Sequence, residues 1–304
     1  MQERDRPIGV LDSGIGGLST LMALKEHLPR ENFIYICPDS FEPFGNMPES
    51  TIFQKSAKLV DTLMQQNCKA IVIACNTATN VGVANLKLKY KVPFVGCEPA
   101  IKPAVEQGNK NILVLCTVST SRQPKFVELK KKYDNIATIT VAPQTDLAKM
   151  IDDTYTECVQ NNDTPHAHII QNEILKKQYK TTLKQANLYN NTTLDKSNSY
   201  DYTTPDKSNS YDYTTPEHTN SQNCSILDDF YTLLQKNLTK PVHDILDQYP
   251  DIDGIVLGCT HYVFLSKIIT DYYTSKNKTI SLHDGNTGIA KRLRYELGKI
   301  RQLR

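Results

Sequence analysis

Residues 71–79 read IVIACNTAT and residues 255–262 read IVLGCTHY. Each is an aliphatic run of strand length that ends in a small residue and a cysteine, followed by hydroxyl, amide or imidazole side chains. Their upstream junctions match as well. IGVLDSGIGG (8–17) and NILVLCTVST (111–120) both run from an apolar strand into a polar turn. The chain therefore reads as two copies of one plan, strand and polar turn first, strand and cysteine later.

The segments around these junctions support that plan. Apolar runs at 8–11, 33–36, 70–74 and 92–96 alternate with the helical patterns LSTLMALKEHL and PESTIFQKSAKLVDTLMQQNC, the second with Ser50 near its start. The pattern begins again with strands at 111–116, ATITVAP, DIDGIVLG and 278–282, and helices at QPKFVELKKKY, DLAKMIDDTY and GIAKRLRYELGKIRQ. Strands alternating with helices of this length indicate βαβ units and a parallel sheet. Continuous apolar runs indicate strands covered on both faces. The expected fold class is α/β: two similar domains, each a mainly parallel sheet flanked by helices, related by a pseudo-twofold, with the active site in the cleft between them. The first domain is expected over 1–97 and 282–304, the second over 98–281.

A different kind of sequence interrupts the second copy. Residues 155–224 hold ten Asn and eleven Thr with no Gly or Phe, and cannot bury enough apolar surface to form a core of their own. Residues 195–205, DKSNSYDYTTP, recur letter for letter at 206–216. This tandem repeat reads as a mobile surface insertion, and 169–186 as a helical pattern within it. Without the insertion the two copies have similar spacing.

Composition narrows the function classes. Over 304 residues, 39% are apolar and 22% charged, the balance of a globular chain. A formal charge of +2 gives no electrostatic reason to expect nucleic acid or an anionic membrane as partner. No apolar run approaches the roughly 18 residues of a membrane span, and no apolar h-region accompanies MQERDRP at the start, so neither a membrane span nor a secretory signal is expected. The eight cysteines form no CxxC pair and are expected as reduced thiols, most of them small buried hydrophobes.

Cys75 and Cys259 are expected to differ from the rest. In open parallel sheets, ligands bind beyond the carboxyl ends of strands, where both of these thiols fall. Two opposed thiols suit the inversion of a stereocentre: one base removes a proton from one face while an acid delivers a proton to the other. A free thiol titrates near pH 8.5, close to where general acid–base catalysis is efficient. His261 can assist Cys259, and Asp12 can serve Cys75. Gly14, Gly16 and Gly17 sit in a turn whose amides can cradle an anion. Ser13, Asn76, Thr77, Thr117, Thr120 and Thr260 offer donors for carboxylates and acceptors for an ammonium.

DSGIGG, EPFG, ACNTAT and LGCTHY, in this order, resemble the glutamate racemases of the cofactor-independent aspartate/glutamate racemase superfamily. The resemblance covers 8–153 and 250–304. It implies racemisation of L- and D-glutamate with no cofactor and no metal, and a bacterial cytoplasmic role in supplying D-glutamate for peptidoglycan. It implies Cys75 as the proton donor and acceptor for D-glutamate and Cys259 for L-glutamate. It aligns Asp12, Ser13, Phe44, Gly45, Asn76, Thr77, Thr117, Thr120, Thr260 and His261 with substrate-contacting positions. His261 favours glutamate, since aspartate-specific relatives tend to carry an acidic residue there. A homodimer is the assembly that family members often adopt. Two departures stand out. Phe44 replaces the usual Tyr, and Asp152 is the loose match to a supporting Glu one methylene longer.

Three other readings bear on the same residues. One is a racemase for aspartate or a hydantoin. Another is a metal site built from Cys75, Cys259 and His261, for which a fourth ligand is not apparent. A third is an interaction protein using the repeat. His27, His243 and His283 read as ordinary helix or loop residues, and Lys130–Lys132 as a solvated helix face.

Overall fold

The computed structural model describes residues 3–38, 43–161 and 222–300. The tandem repeat, the helical pattern expected at 169–186 and most of the expected insertion lie outside them.

Four short apolar runs form the first sheet: β1 (Ile8–Leu11), β2 (Phe33–Ile36), β3 (Ala70–Ile73) and β4 (Phe94–Gly96). Four more form the second: β5 (Asn111–Thr117), β6 (Thr138–Gln144), β7 (Gly254–Leu257) and β8 (Ser281–His283). Both sheets are wholly parallel and share one strand order, β2-β1-β3-β4 and β6-β5-β7-β8. Every residue of β1, β3 and β7 is buried, as expected of strands covered on both faces.

The register repeats as well. Leu11 pairs with Ile73, and the Ala74 amide donates to Leu11 O at 2.9 Å. Leu115 pairs with Leu257, and the Gly258 amide donates to Leu115 O at 2.7 Å. Cys75 and Cys259 each follow the residue that makes this last ladder bond, so they occupy equivalent places at the two carboxyl edges. At Gly258 a methyl group would meet Leu115 O at 2.9 Å, which restricts the position to glycine.

The first sheet carries α1 (Gly17–His27), α2 (Glu49–Gln65) and α3 (Asn76–Lys89). Helix α2 follows Pro48, with Ser50 in its first turn and no side-chain cap. The second sheet carries α4 (Ile101–Glu106), α5 (Val118–Arg122), α6 (Pro124–Tyr133), α7 (Leu147–Asn161), α8 (Gln222–Leu246) and α9 (Ser266–Ser275). The chain then returns, and α10 (Asn286–Lys299) packs on α1. Since β8 pairs with β7, the expected boundary between 281 and 282 cuts through a strand. The second sheet runs to His283.

Helices α8 and α9 carry no sequence expectation. Helix α8 holds itself in place with Phe230, Leu234, Leu238, Val242 and Leu246, all buried and spaced by four residues, hence on one face. Phe230 stacks edge-on against Tyr155 of α7 at 5.5 Å and Phe264 at 5.6 Å. Helix α7 itself extends through 155–161 and buries Cys158, so that part of the expected insertion belongs to the core. One apolar cluster joins the two domains, taking Ile8, Val10 and Val72 from the first and Leu113, Leu115 and Ile255 from the second.

Candidate active site

The carboxyl edges of the two sheets face each other across a narrow cleft. Ser13, Phe44, Gly45, Cys75, Asn76 and Thr77 form the first-domain wall. Thr117, Thr120, Cys259, Thr260 and His261 form the opposite one. Pro43, Ala148 and Gly258 complete the lining and carry no sequence expectation beyond their neighbours in EPFG, DLAKMIDD and LGCTHY. Among the described residues, no lysine or arginine lines the cleft.

The two cysteines are positioned alike and supported differently. Cys75, 6% exposed, is the N-cap of α3, and its Sγ accepts from the Ala78 amide at 3.4 Å. Ser13 Oγ lies 3.8 Å from the same sulfur. Burial pushes the Cys75 thiol far above its ordinary range, the nearby Asp12 carboxylate adds to the effect, and the Ala78 and Ser13 contacts only temper it. Cys75 therefore rests as a thiol. Cys259, 8% exposed, opens onto a 3-10 turn, Thr260–Leu265, and its Sγ lies 3.6 Å from His261 Nδ1.

Behind Cys259 stands a chain of buried polar groups. His261 Nε2 lies 3.0 Å from Asp152 Oδ1. Burial alone would lower the imidazole's pKa, but the Asp152 carboxylate and the Cys259 sulfur outweigh it and raise it well above the usual value. A raised pKa favours the protonated ring, in which Nε2–H faces Asp152 and Nδ1–H faces Cys259 Sγ. The Gly16 amide also points at Nε2, at 3.3 Å. The two contacts compete for one nitrogen, and the shorter, charge-assisted one to the carboxylate prevails. Asp152, one methylene shorter than Glu, reaches the ring because α7 lies close to the 3-10 turn.

The DSGIGG turn works differently from the sequence expectation. Three of its amides are engaged within the protein rather than offered to the cleft. Ser13 N and Gly14 N donate to Asp12 Oδ1 at 2.6 and 3.2 Å, and Ile15 N donates to Asp152 Oδ1 at 3.1 Å. Asp12 Oδ2 accepts from Thr260 Oγ1 across the domain boundary at 3.0 Å. Burial raises the Asp12 pKa, opposed chiefly by His261 and Thr260. Asp12 and Asp152 therefore lie behind the wall, not on it. They hold the two domains' catalytic edges in register, and no local sequence signal indicates bonds that span 137 to 248 residues.

Opposite this chain lies a hydroxyl cluster. Thr77 and Thr117 bring their oxygens to 3.1 Å, Thr117 and Thr120 to 3.0 Å, and Thr77 and Thr120 to 3.4 Å. Gly45 packs on Thr117, which a methyl group would approach to 3.0 Å. Phe44 is almost wholly buried beside them. Among the described residues, no three His, Cys, Asp or Glu side chains group as a metal cage.

A family profile described as Asp/Glu/Hydantoin racemase matches residues 13–168, half of the chain. The chain belongs to the Asp/Glu/Hydantoin racemase family. The matched stretch includes Cys75 and Asp152 but stops before Cys259 and His261, so their place in the site rests on geometry. Glutamate racemase from Clostridium acetobutylicum is 38% identical over 159 residues, 52% of this chain and 62% of its own length. The chain thus spans about six tenths of the first curated relatives it matches. Glutamate racemase from Clostridium botulinum strain Alaska E43 is 28% identical over 299 residues, 98% of this chain and 86% of the relative. Among solved structures, Escherichia coli glutamate racemase, in complex with L-glutamate and an activator, is similar with a TM-score of 0.62 at 21% identity, covering 96% of this chain and 83% of that one. A Bacillus anthracis glutamate racemase isoform gives 0.57 at 21% identity, covering 99% and 84%. At these identities the structural likeness is one of fold: two parallel-sheet domains with a cleft between.

Proposed function

We propose that this family member interconverts L- and D-glutamate by moving a proton between two cysteines. The observation that carries the reading is the equivalent placement of Cys75 and Cys259 at the ends of β3 and β7, on opposite walls of one small cleft. In the L-to-D direction, Cys259 as thiolate takes the α-proton from one face and the Cys75 thiol gives its proton to the other. The α-carbon inverts, and the two sulfurs exchange protonation states. The reverse reaction uses the reverse roles. His261 holds a proton at Nδ1 next to Cys259, and Asp152 fixes the ring. Asp12 acts through Ser13 and Thr260, which line the cleft. Ser13, Asn76, Thr77, Thr117, Thr120 and Thr260 supply neutral donors and acceptors for the substrate's charged groups, while Phe44 and Gly45 shape the wall.

Glutamate is preferred over aspartate because His261 stands after Cys259 and because the curated relatives are glutamate racemases. Turnover of L-aspartate comparable to L-glutamate would reverse that preference. The same reading takes 1–97 with α10 as one domain and the intervening chain as the other, a homodimer as the assembly, and the bacterial cytoplasm, supplying peptidoglycan synthesis, as the setting. No pyridoxal phosphate, metal or nucleotide is invoked.

The test is solvent-deuterium incorporation at the α-carbon with Cys75→Ser and Cys259→Ser. Each variant is expected to lose racemisation by at least the roughly 10²–10⁴-fold contribution of an acid–base group. Racemisation at the wild-type rate in either variant would sink the two-thiol mechanism.

A further inference from the structure

Cys97, just past β4, belongs to neither the motifs nor the cleft wall, yet it touches the residue beside Cys75. Its Sγ donates to Asn76 Oδ1 at 3.2 Å, with both residues more than nine-tenths buried. Two contacts hold the sulfur in place. The Cys97 amide donates to Thr79 Oγ1 at 3.0 Å, and that hydroxyl donates to Ile73 O at 3.1 Å. On the other side a methyl group at Gly285 would sit 3.3 Å from Cys97 Sγ, so the turn leading into α10 packs closely on the thiol. Cys97 thus lies where the chain leaves the first domain and where it comes back.

An asparagine amide in this position has two orientations related by a flip, one offering oxygen to the cleft and the other offering N–H. A thiol proton facing the amide favours Oδ1 there, since the alternative sets Nδ2–H₂ against a sulfur that is only a weak acceptor. Asn76 lines the cleft, and its Nδ2 makes no hydrogen bond among the described residues, which leaves that group for a ligand. We infer that Cys97 is a positioning residue whose S–H locks the Asn76 amide with Nδ2–H₂ toward the cleft, so that Asn76 donates to a substrate carboxylate rather than accepting from its ammonium. Burial holds the Cys97 thiol well above its ordinary range, with the neighbouring Cys75 and Asp12 adding to the effect, so the donor proton stays in place. The inference rests on the reading of the cleft as a glutamate site.

Three full-length variants test it. Cys97→Val keeps the bulk and removes the donor, Cys97→Ser keeps a donor, and Asn76→Asp serves as the assignment control. In the valine variant KM is expected to rise about three- to tenfold in both directions, the value of one hydrogen bond, with kcat changed less. The serine variant is expected to recover most of that loss. The side-chain amide protons of Asn76, identified in NMR spectra by their absence in Asn76→Asp, are expected to shift in Cys97→Val and to return toward the wild-type position in Cys97→Ser. Unchanged KM and unchanged Asn76 amide signals in a folded valine variant would overturn the assignment. A serine variant as impaired as the valine variant would overturn it too, since packing and not donation would then be at work. A wild-type protein that racemises no glutamate would sink the functional reading alone, and the NMR signals would still decide the amide's orientation.

Discussion

A methyl group at Gly16 would lie 2.4 Å from Thr260 Oγ1 and 2.5 Å from His261 Nδ1. Both atoms belong to buried elements with little room to move. Gly16→Ala is therefore expected to displace the imidazole from Cys259 and reduce racemisation at least about a hundredfold, at a cost of roughly 1–3 kcal/mol of stability from overpacking. Rate assays beside urea melts on the same preparation check this, and near-normal turnover would contradict it. Asp152→Asn poses a subtler question. It leaves the ring without its anionic partner while Cys259 remains. The expected loss in kcat/KM is about ten- to a hundredfold, at the low end of a full acid–base group. Because the equilibrium constant of a racemisation is one, kcat/KM must fall equally from L- and D-glutamate, while kcat and KM can diverge between directions. Circular dichroism assays run both ways check it, and an unaltered kcat/KM would remove Asp152 from the relay. The wild-type ring bears on stability as well. His261 is raised in the folded state, so its contribution is full below the ordinary value near 6.5 and is lost as pH climbs through the folded value.

At the scale of elements, the amino ends of β5, β7 and β8 are tied by a polar network. His283 Nε2 lies 2.8 Å from Asn109 Oδ1 and 3.2 Å from Ser281 Oγ, and Asn109 Nδ2 donates to Asp253 O at 2.9 Å. Burial lowers the His283 pKa to about 4, opposed only weakly by Asp253. A depressed folded value means the stabilisation is complete above the unfolded pKa near 6.5 and disappears as pH falls toward 4. Thermal or urea melts are expected to show a loss on the order of 2–3 kcal/mol across that window, largely absent in His283→Gln. Equal acid sensitivity in both proteins would assign the effect elsewhere. The strands and most helices were legible in sequence because each carries its own pattern: four or more apolar residues for β1, β3 and β7, a helical period for α1 and α2. Helix α8 was not, because the polar segment before it masks a stripe that shows only from Phe230 onward. His283 read as a helix or loop residue because the strand expected at 278–282 stops one residue short of it, whereas β8 runs to His283.

For the whole molecule, the two domains share more than a cleft. The apolar cluster runs through both sheets, and Asp12, Ile15 and Ser19 of the first domain bond to Thr260 and Asp152 of the second. Near the opening, Asn46 Nδ2 donates to Thr145 O at 3.0 Å and Gln123 Nε2 donates to Glu49 Oε1 at 2.9 Å. Separate unfolding would expose half of that cluster and strand several buried polar groups. Calorimetry is therefore expected to record one cooperative transition, with matching calorimetric and van't Hoff enthalpies. Two resolved peaks would mean the domains are energetically independent. The paired cysteines were readable from motif symmetry. The ties between the domains were not, since they join residues 74 to 248 positions apart with no periodic signal.

Among the described residues, the wall of the cleft offers neutral hydroxyls and one imidazole, but no lysine or arginine. For a dicarboxylate, this wall therefore supplies short-range hydrogen bonds in place of a lysine or arginine charge.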